Sequence, residues 1–163
     1  MPDDGDLVTA TADVLDAHPD RAQVCLLAFR SFGGRRSFAG RIATVRCHED
    51  NVVVKRRVQE AGEGRVLVVD GGGSLRVALL GDVVAGLAAA NGWAGVIVHG
   101  AVRDSTALAG IDLGVVALGT NPRPSAKTGD GEADDAVTFG EATFRPGDGV
   151  FVDDDGIVVL PAG

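Results

Sequence analysis

The stretch at residues 65–104, RVLVVDGGGSLRVALLGDVVAGLAAANGWAGVIVHGAVRD, decides the fold. Residues 65–69 form an apolar run of strand length closed by Asp70-Gly71-Gly72-Gly73-Ser74, and residues 94–98 form a second closed by His99-Gly100. Such runs lack the in-and-out alternation of a half-exposed strand, so both read as strands buried on both faces. Between them, residues 82–91 put Val83, Leu87 and Ala90 on one helical face, with Gly92 as the stop. The reading is a strand, helix, strand unit at the centre of an α/β chain.

Outward from this unit, residues 7–18 carry Leu7, Ala10, Val14, Leu15 and Ala17 at helical spacing, closed by His18-Pro19. Residues 23–29 and 40–47 read as strands. Residues 51–59 fit helix or strand because Val52, Val53 and Val54 run together, and the helix is preferred. After Arg103-Asp104 come a short helix near 105–109, a strand around 114–118 and a loop at 119–135 rich in Gly, Pro and charge. The period then changes to two. Short strands are expected at 136–140, 142–144, 149–152 and 157–160, with turns at Gly140-Glu141, Pro146-Gly147-Asp148-Gly149 and Asp153-Asp154-Asp155-Gly156. The expectation is one mixed α/β domain over residues 1–163 with a β-rich C-terminal third.

Composition narrows the partners. With 45% apolar residues, a mean hydropathy of +0.18 and 23% charged residues, the chain is too apolar for disorder and suits a buried sheet or an oligomer interface. Fifteen Lys+Arg against 23 Asp+Glu give a net charge of -8, which argues against direct nucleic-acid or anionic-membrane binding. Cys25 and Cys47 match no zinc spacing and read as small core residues. Met1–Asp6 is acidic rather than a basic leader, and no run reaches about 18 apolar residues, so a soluble cytoplasmic protein is expected.

Several motifs fail as chemistry. The glycine run at 71–73 has Arg76 where a dinucleotide fingerprint needs its third glycine, no Gly-Lys-Ser/Thr follows, and Ser74 lacks the flanking pattern of a nucleophile elbow. It reads as a tight turn after a strand. His18, His48 and His99 are scattered, and Asp153-Asp154-Asp155-Gly156 lacks the later ligands of a calcium loop.

The constellation that carries chemistry is Gly81-Asp82 followed, after the twenty residues 83–102, by Arg103-Asp104. Asp82 is expected to cap a helix so that the Val83 and Val84 amides point outward as an anion seat, with Gly81 admitting a carboxylate. Arg103, after a strand end, offers a planar fork for a carboxylate. Asp104 offers a hard oxygen to Mg²⁺ or Mn²⁺, ions that keep several waters and need few protein ligands. Helix capping and local bonds alone would also account for these residues.

Several runs together resemble the RraA-like family: Phe32-Gly33-Gly34-Arg35 with Phe38-Ala39-Gly40, Thr44-Val45-Arg46-Cys47, VLVVD with GGGS at 66–74, ALLGD ending at Asp82, NGWAGVIVHGAVRD ending at Asp104 and ALGTNPRPS ending at Ser125. That family, named after a regulator of ribonuclease activity, is similar in fold and motif to the metal-dependent 4-hydroxy-4-methyl-2-oxoglutarate aldolases. The resemblance covers nearly the whole chain. It implies a swivelling β/β/α type of domain in a ring-shaped homotrimer with active sites near the subunit contacts, and leaves open whether trimers pair into a hexamer. It also implies that Gly81, Asp82, Val83, Val84 and Arg103 bind a keto acid and that Asp104 binds a divalent metal.

The activity implied is aldol cleavage of a 4-hydroxy-2-oxo acid or decarboxylation of oxaloacetate, each through a pyruvate enolate stabilised by a Schiff base or a metal. The two lysines are Lys55, in a basic run, and Lys127, in a mobile-looking loop, and neither setting suggests a Schiff base, although the fold could still bring either one near the site. The metal route is therefore expected, with Arg103 neutralising the enolate and Asp82 orienting a water as proton donor or acceptor. The longer aldolases carry a C-terminal extension that can reach a neighbouring site, whereas this sequence stops at Gly163, so large substrates are expected to be handled poorly. The competing reading is a non-catalytic regulator whose acidic surface binds a ribonuclease. A methyltransferase role, a label sometimes attached to the family, is set aside for want of a nucleotide-binding fingerprint.

Overall fold

The computed structural model describes residues 9–163. The first part of the chain runs α1 (Thr11–Ala17), β1 (Gln23–Val24), β2 (Arg30–Ser31), β3 (Phe38–Arg46), α2 (Val52–Val58) and β4 (Val66–Asp70). The middle continues with β5 (Ala78–Leu80), α3 (Asp82–Ala90), β6 (Gly95–Val102), α4 (Ser105–Leu108) and β7 (Gly114–Thr120). The last third holds β8 (Glu132–Ala133), β9 (Val137–Phe139), β10 (Ala142–Phe144), β11 (Gly149–Asp153) and β12 (Gly156–Leu160). Leu7, expected in the first helix, and the acidic start Met1–Asp6 lie outside the described residues.

Strands β3, β4, β6 and β7 are mutually parallel at the centre of a sheet ordered β1-β12-β11-β3-β4-β6-β7-β2. The flanking strands pair antiparallel, and β9 with β10 forms a separate hairpin. Alternate residues explain the unbroken apolar runs. Leu67, Val69, Val96, Val98, Val115 and Ala117 face α2 and α3 and pack with Val54, Val58, Ala85 and Ala88. Val66, Val68, Ile97 and Val116 face the other way, onto Phe139, Phe144, Val150, Val152 and Ile157 from the C-terminal hairpins. Helices cover one face of the parallel strands and β-structure covers the other, so a single mixed α/β fold with a β-rich C-terminal third is what the chain adopts. No helix among the described residues is long and apolar enough to cross a membrane.

Four local differences have physical causes. Residues 23–29 pair as a strand only at Gln23–Val24, because β1 lies on the β12 edge while β2 lies on the β7 edge, and the segment between must cross from one to the other. Strand β6 runs on to Val102 through an irregularity between Val98 and Ala101. Strand β5, three residues long, carries too short a pattern to read in the sequence. The loop after β7 contains β8, which pairs with β3. The preferred helix at 51–59 forms as α2, and Asp153–Gly156 is a hairpin turn whose Asp153 carboxylate accepts the Thr11 amide at 2.9 Å and its hydroxyl at 2.8 Å. Cys25 and Cys47 are buried free thiols, as expected.

Candidate active site

The two halves of the Gly81-Asp82 and Arg103-Asp104 pattern meet through sheet register. Strand β4 accompanies β6 as far as the pair Asp70 and His99 and then leaves through the glycine turn, where Gly72 and Gly73 take φ of 68° and 77°. Strand β5 takes its place, with Ala78 beside Ala101 and Leu80 beside Val102. The Arg103 amide donates to the Leu80 carbonyl at 2.9 Å, so the residues that follow each strand emerge together. The twenty intervening residues are all but the first residue of α3, the 91–94 link and the whole of β6, closed by this register. The glycine run therefore reroutes the chain, as its turn reading required. His99 is a satisfied polar residue there: its Nδ1 lies 2.8 Å from Asp70 Oδ1 and its ring stacks on Phe139 with centroids 4.4 Å apart.

The helix start differs from the sequence reading by one residue. Gly81 is the N-cap, in extended backbone at φ -132° and ψ -167°, and Asp82 is the first helical residue with no side-chain cap bond. The first free amide of α3, that of Asp82, donates to Asp104 Oδ2 at 3.0 Å. Part of the anion seat is thus filled by the chain's own carboxylate, and the Val83 and Val84 amides of the first turn remain. Gly81 has the same cause: a Cβ there would lie 2.6 Å from Asp104 Oδ2. The carboxylate that needs its closeness is Asp104, in addition to any ligand. Asp104 itself takes the left-handed conformation, φ 61° and ψ 42°, which Asp tolerates better than most residues and which swings its side chain back toward Gly81. Arg103 Nε lies 3.9 Å from the same oxygen, and both side chains stay partly open to solvent.

Gly81, Asp82, Val83, Val84, Arg103 and Asp104 all line one cavity of about 500 Å³. The lining also includes Asn51, Lys55, Arg56, Ser125 and Lys127. Four cationic side chains, Lys55, Arg56, Arg103 and Lys127, face two carboxylates, Asp82 and Asp104, so an acidic chain of net charge -8 keeps a cationic cavity. Both lysines reach the site, which residue spacing alone did not show. The run ending at Ser125 was the nearest signal for Lys127. The loop that carries it is tied down: Asp50, 1% exposed, accepts the amides of Val52 (3.0 Å), Thr128 (2.6 Å) and Gly129 (3.2 Å) and the Thr128 hydroxyl (2.7 Å). Burial works to raise the Asp50 pKa, but these donors outweigh it and bring it down to about 2. Lys127 Nζ donates to Asn51 Oδ1 at 2.6 Å and Ser125 Oγ at 3.0 Å. Desolvation and the neighbouring Arg103 and Lys55 charges lower its pKa, against an opposing pull from Asp50.

The RraA-like family model, described as Aldolase/RraA, matches residues 11–159. The chain belongs to the RraA-like family. This RraA-like chain is also similar to several solved structures. One is a Geobacillus kaustophilus HTA426 protein described as S-adenosylmethionine:2-dimethylmenaquinone methyltransferase, 48% identical over 95% of this chain and 96% of that one, with a TM-score of 0.93. A second is the RNA-processing inhibitor RraA from Thermus thermophilis, 44% identical over 96% of this chain and 97% of that one, with a TM-score of 0.91. A third is Streptomyces coelicolor RraAS2, described as an unusual member of the RNase ES inhibitor RraA protein family, 26% identical over 94% of this chain and 81% of that one, with a TM-score of 0.79. The family spans metal-dependent aldolases and ribonuclease inhibitors, and the fold of this chain is that of the solved RraA structures.

Proposed function

We propose that the chain is a divalent-metal-dependent lyase acting on small 2-keto acids, as a 4-hydroxy-4-methyl-2-oxoglutarate aldolase and oxaloacetate decarboxylase. The observation that carries this reading is the space Gly81 leaves for the Asp104 carboxylate inside a cationic cavity. Among the described residues no group of three His, Cys, Asp or Glu side chains is placed to hold a metal ion. The Asp104 carboxylate with Asp82 beside it would suit a hard cation that keeps most of its water, Asp104 as the direct ligand and Asp82 acting through water. Bound there, Mg²⁺ or Mn²⁺ would supply Lewis-acid polarisation of the 2-keto group.

The chain's own residues do the rest. The Val83 and Val84 amides, at the positive end of α3, receive the substrate's C1 carboxylate. Arg103 aims its guanidinium at the keto oxygen, where negative charge grows as the C3–C4 bond breaks and its electron pair moves into the enolate. In decarboxylation the C4 carboxylate leaves as CO₂ and C3 then takes a proton. In aldol cleavage the C4 hydroxyl first gives up its proton. Asp82, exposed at the cavity mouth, positions the water that carries the proton in either direction. Lys127 donates to two neutral acceptors, which supports an ammonium with a binding role over a Schiff-base nucleophile.

The test is pyruvate release from oxaloacetate and from 4-hydroxy-4-methyl-2-oxoglutarate with Mg²⁺, with chelator, and with Asp104→Ala and Arg103→Ala. Activity indifferent to chelator, or equal in the variants, would refute the reading. We place the protein in the cytoplasm, where Cys25 and Cys47 stay reduced, as a homotrimer or a hexamer of paired trimers, which light scattering checks.

The 44% identity to the Thermus RNA-processing inhibitor favours a second reading, a regulator that binds a ribonuclease and inhibits RNA processing. A pull-down that recovers no ribonuclease from the host cell would count against it. The methyltransferase reading suggested by the Geobacillus relative draws no support from the glycine run, which turns β4 toward β5 and packs against His99.

A further inference from the structure

The segment after β7 is stitched down on both sides of Lys127. Upstream, the Ala78 amide donates to the Arg123 carbonyl at 2.8 Å and ties the segment to β5. Also on that side, the Ala126 amide, next to Lys127, donates to the Glu49 carbonyl at 2.9 Å. Three of the four donors to the buried Asp50 carboxylate come from Thr128 and Gly129, the two residues that follow Lys127. A buried carboxylate is costly without such compensation, and here the compensating groups belong to a surface loop. The result is a lysine whose backbone is fixed. Its ammonium reaches Asn51 Oδ1 and Ser125 Oγ, and Asn51 is held in turn by its Nδ2 donating to the Leu79 carbonyl at 3.3 Å. Both acceptors are neutral, so the positive charge is oriented without being cancelled. The cavity of about 500 Å³ that it lines leaves room beyond a three-carbon keto-acid head at Arg103 and Asp104.

We infer that Lys127 anchors the second carboxylate of a dianionic 2-keto acid, and that Asp50, which touches no substrate, is the positioning residue that fixes it there. The inference rests on the 2-keto-acid reading of the site. It explains why a carboxylate with no opening to the cavity is buried beside it.

The test compares two five-carbon acids by calorimetry in the presence of Mg²⁺: 2-oxoglutarate, with a distal carboxylate, and 2-oxopentanoate, without one. Wild type is expected to favour 2-oxoglutarate by about tenfold, the size of a charge-assisted hydrogen bond. Lys127→Met should bring the ratio close to one while changing 2-oxopentanoate affinity less than about twofold. Lys127→Arg should restore most of the preference. Asp50→Asn should shrink the ratio without removing any group from the cavity, and Thr128→Val, which deletes one of the four bonds, should do so in smaller measure if Asp50→Asn does not fold. A merely structural loss would weaken both acids alike. A wild-type ratio near one, or a ratio unchanged in Lys127→Met, overturns the inference, and unchanged ratios in Asp50→Asn and Thr128→Val overturn the role of Asp50. Binding of neither acid overturns it as well. Oxaloacetate turnover with a ratio near one would sink this inference and leave the lyase reading standing. A tenfold ratio without turnover would do the reverse.

Discussion

Replacing Gly81 by alanine adds one methyl group to the site at a known place. The new Cβ would sit 2.6 Å from Asp104 Oδ2, 3.3 Å from Arg103 Cγ and 3.4 Å from Arg103 Nε. Carbon–oxygen contacts settle at about 3.3–3.6 Å, so the carboxylate must retreat by at least about 0.7 Å. Its 3.0 Å bond from the Asp82 amide then stretches past useful length, and a bond of that charged kind is worth about 1.5–3 kcal/mol. The backbone does not object, because φ -132° and ψ -167° suit alanine, and the loss of chain freedom in the unfolded state returns about 0.4–1 kcal/mol. Gly81→Ala should therefore keep its melting temperature within a few degrees of wild type while Mn²⁺ affinity falls about tenfold or more. Pyruvate release from oxaloacetate should fall by about 100-fold, the cost of a misplacement near 1 Å. Mn²⁺ titration followed by electron paramagnetic resonance gives the first number and a coupled lactate dehydrogenase assay the second. A variant that binds Mn²⁺ as tightly as wild type would show that Asp104 does not need the space Gly81 leaves, and the metal reading would lose its main support.

Arg103→Lys keeps the charge and loses the planar fork, so kcat on oxaloacetate should drop about 100-fold with KM changed far less; a loss confined to KM would make Arg103 a binding group only. The Asp50 carboxyl lies near pH 2 in the folded protein, below its unfolded value near 4. The stability it contributes is complete above about pH 4 and is lost as the pH falls toward 2, so melting curves of wild type should show a steeper acid limb than those of Asp50→Asn, which starts lower at pH 7. Equal slopes would refute this. Burial, reinforced by Asp50, Asp70 and Asp130, pushes the Cys47 thiol up to about 12, and burial raises that of Cys25, so neither should react with Ellman's reagent at pH 8 until denaturant is added. Rapid labelling of the native protein would show that one of them is accessible.

The parallel strands were legible because burial on both faces leaves no alternation to hide the apolar runs of β4 and β6. The C-terminal hairpins were legible for the opposite reason, through period two and turn residues such as Gly140-Glu141, which both take positive φ. Strand β5 was not, since three residues beside a longer strand depend on their partner for definition. The same gap hid the one-residue shift of the helix start: Asp82 looks like a cap until β5 fixes where the strand ends and the Asp104 carboxylate takes its amide. Lys127 was the hardest to see. Its placement depends on Asp50, a residue distant in sequence whose carboxylate organises a loop, and a Gly- and Pro-rich segment reads as free chain when its anchor is remote. Arg103 and a helix end already pointed to a local cationic pocket within an acidic chain, but that Lys55, Arg56 and Lys127 add to it was not legible.

The pairing of Leu80 with Val102 also bears on how such proteins can be found and rebuilt. What sets Gly81-Asp82 beside Arg103-Asp104 is strand register, so the number of residues between them is set by the lengths of α3, of its link and of β6. A link of another length between α3 and β6 that kept the Leu80–Val102 register would keep the two halves together while destroying the twenty-residue interval by which the pattern is spotted. Searches keyed to that interval will pass over chains with the same chemistry, and a search for two strand ends held in register will not. For an engineer the Asn91-Gly92 turn is itself tied down, its two carbonyls accepting the Gly62 and Gly64 amides at 2.7 and 2.8 Å, and one residue gained or lost within Ala78–Leu80 would turn the site inside out.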